Sequence, residues 1–176
     1  MDALSRGFAA IVAAATLSLL TIPATVTPAA ARGAIVPFKG EASPGTIVVR
    51  TSERRLYLVL GEGRALSYPV GVGRAGRQWT GRSMVDGKHI RPAWGPPPDI
   101  ARDRPGLPPV IPGGAPSNPM GAAALTLSGG EYAIHGTNNP GSIGGFVSYG
   151  CIRMYNQDIT DLFDRVSIGT PVLVTR

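Results

Sequence analysis

The sequence predicts a mostly β domain with one or two short helices, on three observations. Short runs of β-branched and apolar residues recur at residues 46–49, 56–60 and 65–72. Polar or glycine-rich stretches of only a few residues separate them, at 51–55 and at Gly61-Glu62-Gly63. Helical periodicity shows near the carboxyl end, where Ile159, Leu162, Phe163 and Val166 fall at i, i+3, i+4 and i+7. Connections this short join antiparallel strands, because a parallel pair needs a crossover of a dozen residues or more.

Taken in order, the chain opens with Arg6 and an apolar run of about 15 residues from Phe8 to Ile22, then Pro23, Pro28 and the small-residue site Ala29-x-Ala31. This is the pattern of a secretory signal peptide over residues 1–31, too short for a membrane span of roughly 20 residues; an uncleaved anchor is the alternative. Residues 32–44 read as a short, turn-rich mature leader. The strand at 46–49 follows, and the continuous apolar run 56–60 predicts a strand buried on both faces. Residues 71–76 spell GxGxxG, but Arg77-Gln78-Trp79 is no helix start, so the stretch reads as a glycine-rich strand exit instead of a dinucleotide loop. Residues 82–90 predict a strand pair about an Asp86-Gly87 turn.

Residues 92–119 are rich in proline and glycine and too long for an ordinary connector, which points to a lid or cleft wall anchored by Trp94, Ile100, Leu107, Val110 and Ile111. Two strands follow, at 122–127 and 131–135, with His135 at the end of the second. Asn156 is placed to cap a helix carrying the apolar stripe, and residues 172–174 supply a closing strand.

Composition narrows the chemistry. Without residues 1–31 the chain is a single-domain length, and its net charge of +6 comes from fifteen arginines and two lysines against eleven acids. The arginines are scattered, with no run and no interleaved aromatics, which argues against nucleic acid and for anionic wall or lipid surfaces. One cysteine, Cys151, excludes an internal disulfide, and with two histidines it cannot build a tetrahedral zinc site.

A lone cysteine is often a buried core residue, yet Cys151 follows Ser148-Tyr149-Gly150, and His135 stands sixteen residues upstream. Glycine before a nucleophile lets the backbone turn and aim successive N–H groups at one point. A thiol beside an imidazole is the pairing that nucleophilic acyl chemistry uses. Arg153 has three available roles: lowering the thiol pKa, binding a substrate carboxylate, or bracing the loop. His89 competes for the role of base, but Lys88 and Arg91 beside it oppose an imidazolium.

Ile134-His135-Gly136-Thr137-Asn138 and Ser148-x-Gly150-Cys151-Ile152-Arg153-Met154 at this spacing closely resemble the signature of the YkuD-type L,D-transpeptidase catalytic domain family. The resemblance extends through Arg54-Arg55-Leu56-Tyr57, Trp94-x-Pro96-Pro97 and Asn118-Pro119-Met120-Gly121, and so implies a catalytic domain over residues 45–176. It implies a β-sandwich-like fold, no metal or organic cofactor, and transpeptidation on peptidoglycan stem peptides outside the cytoplasm, in the periplasm or cell wall; membrane contact is expected only through the signal segment before cleavage. Cys151 would attack the amide between the third and fourth residues of a donor stem and pass the acyl group to an acceptor amine, giving a 3→3 cross-link. His135 would carry the proton and the Gly136 carbonyl would orient it. The amides of Tyr149, Gly150 and Cys151 would line an oxyanion hole, with Arg153, Ser148 and Trp94 binding substrate or bracing the site.

Many family members carry histidine where Tyr149 stands, which leaves His135 with the whole base role. Acceptor choice stays open: a stem diamino acid, water (an L,D-carboxypeptidase), a D-amino acid in exchange, or a lipoprotein lysine. A wall-binding protein without turnover is the reading from a different class.

Overall fold

The computed structural model describes residues 33–129 and 132–176. The segment read as a signal peptide lies outside the described residues, as do Gly130 and Glu131. In chain order the strands and helices are β1 (Ala34–Pro37), β2 (Ile47–Arg50), β3 (Arg55–Gly61), β4 (Arg64–Pro69), β5 (Val72–Gly73), β6 (Gly81–Ile90), α1 (Pro98–Asp103), β7 (Ala123–Leu127), β8 (Ala133–His135), β9 (Phe146–Ser148), β10 (Ile152–Arg153), α2 (Asn156–Arg165) and β11 (Pro171–Thr175). The mostly β expectation with two short helices therefore holds.

Among the described residues one continuous ladder runs β1-β4-β3-β2-β11-β6-β7-β8-β10, and β5 pairs separately with β9. β6 is the corner. Its first residues pair with β11, from Gly81 to Met84, and its last with β7, from Val85 to Ile90. The register shifts between Val85 and Gly87, so the hairpin expected at Asp86-Gly87 is a bulge within one long strand. Turn chemistry and bulge chemistry use the same residues here. The Asp86 carboxylate accepts from the Thr126 hydroxyl across the ladder, and a Cβ on Gly87 would come within 2.5 Å of that hydroxyl.

Because β6 serves both halves of the ladder, their inner faces close over one core, in the manner of sandwich corners. Ile47, Val49, Leu56 and Leu58 from one half meet Leu125, Leu127, Ile134 and Ile152 from the other, with Ile159 and Leu162 of α2 packed alongside. Such side chains contribute roughly 1.5–3 kcal/mol each on full burial, which makes this the main source of stability. The far face of β3 is covered too, as Val59 packs with Phe38, Val48 and Ala65, but Leu60 is exposed, so burial on both faces stops one residue short of the expected end.

Three elements depart from the sequence reading. The leader contains β1, an edge strand paired with β4 from Ala34↔Ser67 to Pro37↔Arg64; most of its side chains are exposed, so pairing holds it where burial does not. β11 lies inside the sheet, parallel to β2 and antiparallel to β6. Asn156 does not cap α2; it is the helix's first residue, and Tyr155 stands at the cap position without a side-chain cap. At the other end of α2, Lys88 Nζ donates to the carbonyls of Phe163 and Val166, a cation where the helix dipole is negative. No helix among the described residues is long and apolar enough to cross a membrane.

Candidate active site

Short β8 and β10 run parallel, with Ile134 opposite Ile152 and His135 opposite Arg153. Alternation then decides which side chains meet. Ile134 and Ile152 point into the core and are fully buried. Ala133, His135, Cys151 and Arg153 take the other face, where His135, Cys151 and Arg153 line one cleft of about 380 Å3. Trp94, Pro119 and Met120 wall that cleft on one side, Tyr132, Ser148 and Tyr149 from the strand ends on another, and Asp86 brings the one carboxylate among its described lining residues.

His135 is only 4% exposed. Its Nδ1 lies 2.6 Å from the Gly136 carbonyl, and since a carbonyl can only accept, Nδ1 carries the hydrogen. Burial and the Arg153 charge push its pKa down to about 4, against smaller opposing effects of the Gly136 and Pro119 carbonyls. Burial pushes the Cys151 thiol up, opposed by a hydrogen bond from the Ala133 backbone N–H and by the Arg153 charge. Both shifts favour the uncharged forms, a neutral imidazole and a neutral thiol lining the same cleft.

The loop before Cys151 is braced from three sides. Ser148 Oγ donates to the Cys151 carbonyl (2.6 Å) and accepts from the Gly150 N–H (3.1 Å). Gly150 sits at φ +128°, and any Cβ there would meet the Tyr132 ring at 2.2 Å, so the position requires glycine. Tyr132 stacks on Trp79, whose Nε1–H donates to the Gly150 carbonyl at 3.0 Å. Of the three amides expected at an oxyanion hole, Gly150's is therefore engaged by Ser148, which leaves those of Tyr149 and Cys151.

The strand ends are tied by Asn156. Its Oδ1 accepts from the backbone N–H groups of Ala122 and Thr137, and its Nδ2 donates to the Thr137 carbonyl, each at 3.0 Å. Gly136 and Gly121 press against that amide, where a Cβ would come within 2.3 and 2.1 Å of it. Asn118 does the same for the excursion. It is 2% exposed, donates from Nδ2 to the carbonyls of Pro92, Ile111 and Pro112, and accepts from the Met120 N–H. Trp94 and Ile111 exchange backbone hydrogen bonds, so the excursion is ordered as expected, although Val110 is exposed.

Tyr149 turns towards α1, where its hydroxyl donates to Asp103 Oδ2 at 2.7 Å and its ring lies 3.9 Å beneath the Arg74 guanidinium. Arg74 also pairs with Asp103, and Arg77 with Asp99. The GxGxxG stretch thus contributes a strand, β5, and the arginine Arg74 to a cleft wall, with no phosphate loop. His89 is exposed on β6 and lines neither cleft face, and no cluster of metal-ligating side chains exists among the described residues. A second cavity of about 600 Å3, beside Thr137, Asn138 and Asn156, includes neither Cys151 nor His135.

Sequence reasoning missed Trp79, Tyr132, Asp103 and the tying role of Asn156. Trp79 is one of two tryptophans and offered a faint signal; the others act through contacts distant in sequence.

A family model described as the L,D-transpeptidase catalytic domain matches residues 44–174. Over 137 residues the chain is 42% identical to the probable L,D-transpeptidase ErfK/SrfK of Escherichia coli, covering 73% of this chain and 43% of that protein. Over 61 residues it is 54% identical to the putative L,D-transpeptidase YkuD of Bacillus subtilis, covering 35% of this chain and 37% of that one. The chain spans less than half the length of these curated relatives. Among solved structures, the catalytic domain of an E. faecium L,D-transpeptidase acylated by ertapenem aligns with a TM-score of 0.58 at 21% identity, covering 77% of this chain and all of that one. An L,D-transpeptidase from Mycobacterium smegmatis aligns with a TM-score of 0.58 at 19% identity, covering 74% and 58%. These likenesses establish the fold.

Proposed function

The chain belongs to the family of YkuD-type L,D-transpeptidase catalytic domains, and from that premise we propose that it is a cysteine-dependent L,D-transpeptidase acting on peptidoglycan stem peptides. The observation that carries the reading is the register of β8 and β10, which sets Cys151 and His135 on one face of one cleft.

In the proposed reaction His135 Nε2 removes the Cys151 proton as sulfur attacks the carbonyl of the third residue of a donor stem. Neutral imidazole is the form that can accept this proton, and its low pKa keeps it neutral at working pH. The oxyanion that forms is met by the Tyr149 and Cys151 amides, each such donor being worth about 3 kcal/mol elsewhere. Collapse breaks the C–N bond to the fourth residue, and the imidazolium protonates the departing amine. The thioester then passes to an acceptor amine with the same proton carrier, leaving a 3→3 cross-link and a free thiol. Gly136 orients His135, Ser148 holds the nucleophile loop, and Trp94 walls the cleft.

Residues 45–176 are proposed as the catalytic domain, residues 1–31 as a cleaved export signal and residues 32–44 as a leader. The work is placed outside the cytoplasm, in the periplasm or wall. The apolar run before Ala29-x-Ala31 and the arginine-rich surface support this.

The test is to incubate the protein with disaccharide tetrapeptides and read the products by mass spectrometry. Dimers that have lost one D-alanine support the transpeptidase. Tripeptide monomers alone would make it a carboxypeptidase, and transfer to a free D-amino acid or a lipoprotein lysine would move the acceptor assignment. Unchanged tetrapeptide would leave only the wall-binding reading.

A further inference from the structure

Beyond Tyr149 and Arg153 the catalytic cleft opens into a second cavity of about 520 Å3, which shares Trp94, Ile100, Pro119, Tyr149 and Arg153 with it. Three arginines line this cavity, Arg74, Arg104 and Arg153, and no carboxylate does among the described residues. Arg74 is partly neutralised by Asp103. Arg104 and Arg153 are not: neither makes an ion pair or a side-chain hydrogen bond among the described residues, and the buried Nε of Arg153 has no partner.

We infer that this cavity is a carboxylate-recognition subsite for a peptide stem, with Arg104 and Arg153 as the cations that receive it. Two guanidinium groups that line one cavity without a counter-charge, one of them partly buried, favour an anion between them. Burial lowers the Arg153 pKa, Cys151 opposes that, and the Arg104 charge adds a smaller lowering. Guanidinium forks match a carboxylate in two parallel hydrogen bonds, a geometry that lysine cannot give. Asn138, Asn139 and Ser142 on the same wall offer neutral partners for the peptide backbone around that carboxylate. The cavity shares Tyr149 and Arg153 with the cleft that Cys151 lines, so a stem held there extends towards the thioester. The inference rests on the proposed reading that the substrates are stem peptides; what it adds is a charge requirement on them and a residue, Arg104, outside both catalytic motifs.

The experiment compares wild type, Arg104→Gln and, as a control for loss of charge outside the cavity, Arg64→Gln at the exposed start of β4. Each is assayed with stems whose free carboxylates are intact or converted to amides. Arg104 is exposed, so Arg104→Gln leaves the core untouched. The expected result is a loss of about tenfold, the size of one lost bidentate contact, confined to Arg104→Gln with carboxylate stems. With amidated stems the variant and wild type converge, and Arg64→Gln matches wild type throughout. If the loss appears in the rate of thioester formation, the donor stem occupies the subsite; if it appears only in transfer against hydrolysis, the acceptor does. Equal effects on carboxylate and amidated stems, or no effect on either, overturn the inference. If wild type forms no thioester at all, the function proposed above fails instead. The same comparison is then read as Kd for the two stems on Cys151→Ala, with and without Arg104→Gln.

Discussion

The two sides of the catalytic cleft are built in different ways. The floor, β8 with β10, is held by ladder hydrogen bonds, by Ile134 and Ile152 in the core, and by Asn156 across the strand ends. The opposite wall, the excursion with α1, buries none of its helix residues and leans on Tyr149, Arg74 and Arg77 through exposed polar contacts. Exposed ion pairs contribute little and weaken with salt. The difference teaches that the reacting groups are preset by the fold, while the α1 part of the wall rests on exposed polar contacts, unlike the stretch that Asn118 ties.

The sharpest way to break this comparison is at the floor. His135→Ala is expected to abolish acyl-enzyme formation at neutral pH, with the fold retained, because among the described residues His135 is the one imidazole lining the cleft, and the one carboxylate there, Asp86, is engaged by the Thr126 hydroxyl. Intact-protein mass after exposure to donor stem checks it, and acylation at the wild-type rate would remove His135 from the role. Next in size is Asn156→Ala. Losing three hydrogen bonds between strand ends is expected to cost roughly 2–3 kcal/mol of stability, read as a lower denaturation midpoint. A loss of activity without that shift would mean Asn156 touches substrate.

The pH dependence of stability tests the floor's electrostatics. His135 has a folded pKa of about 4 against 6.5, so the unfolded chain binds this proton first as pH falls. Its contribution is therefore full above pH 6.5 and is lost as pH falls towards 4. Asp158, 1% exposed and without a hydrogen-bond partner for either carboxylate oxygen among the described residues, runs the other way. Burial raises it from 3.8 to about 6, so the folded chain binds that proton first and stability is lost as pH rises through that window. Asp158→Asn should raise Tm at pH 7 and lose its advantage below pH 4; a Tm gain independent of pH would contradict this. The smallest effect belongs to the wall. Asp103→Ala releases Tyr149 and Arg74 together and should raise KM a few fold with kcat little changed. A collapse of kcat would show that Tyr149 is positioned for the oxyanion by this contact.

How legible each side was in the sequence follows from the same contrast. The floor could be read because its parts are local: an alternating strand ending in His135, a glycine before Cys151, and core residues at the expected periods. β1 escaped because an edge strand with exposed side chains leaves no burial pattern. The bulge at Asp86 reads as a turn in the sequence because aspartate and glycine suit either, and only the register with β7 separates them. Asn156 looked like a cap, since nothing near it in the chain reveals Ala122 and Thr137 as its partners. Tyr149 could be recognised as a departure from the family pattern, but its partner Asp103 lies 46 residues away and was out of reach.

The most direct test of the central claim, that Cys151 on this floor is the acyl carrier, is the intact mass of the protein after brief incubation with a tetrapeptide stem. The account predicts an added mass equal to the stem less its terminal D-alanine on wild type, and none on Cys151→Ala. The same adduct on Cys151→Ala, or cross-linked product from wild type with no adduct trapped at any time, would contradict it.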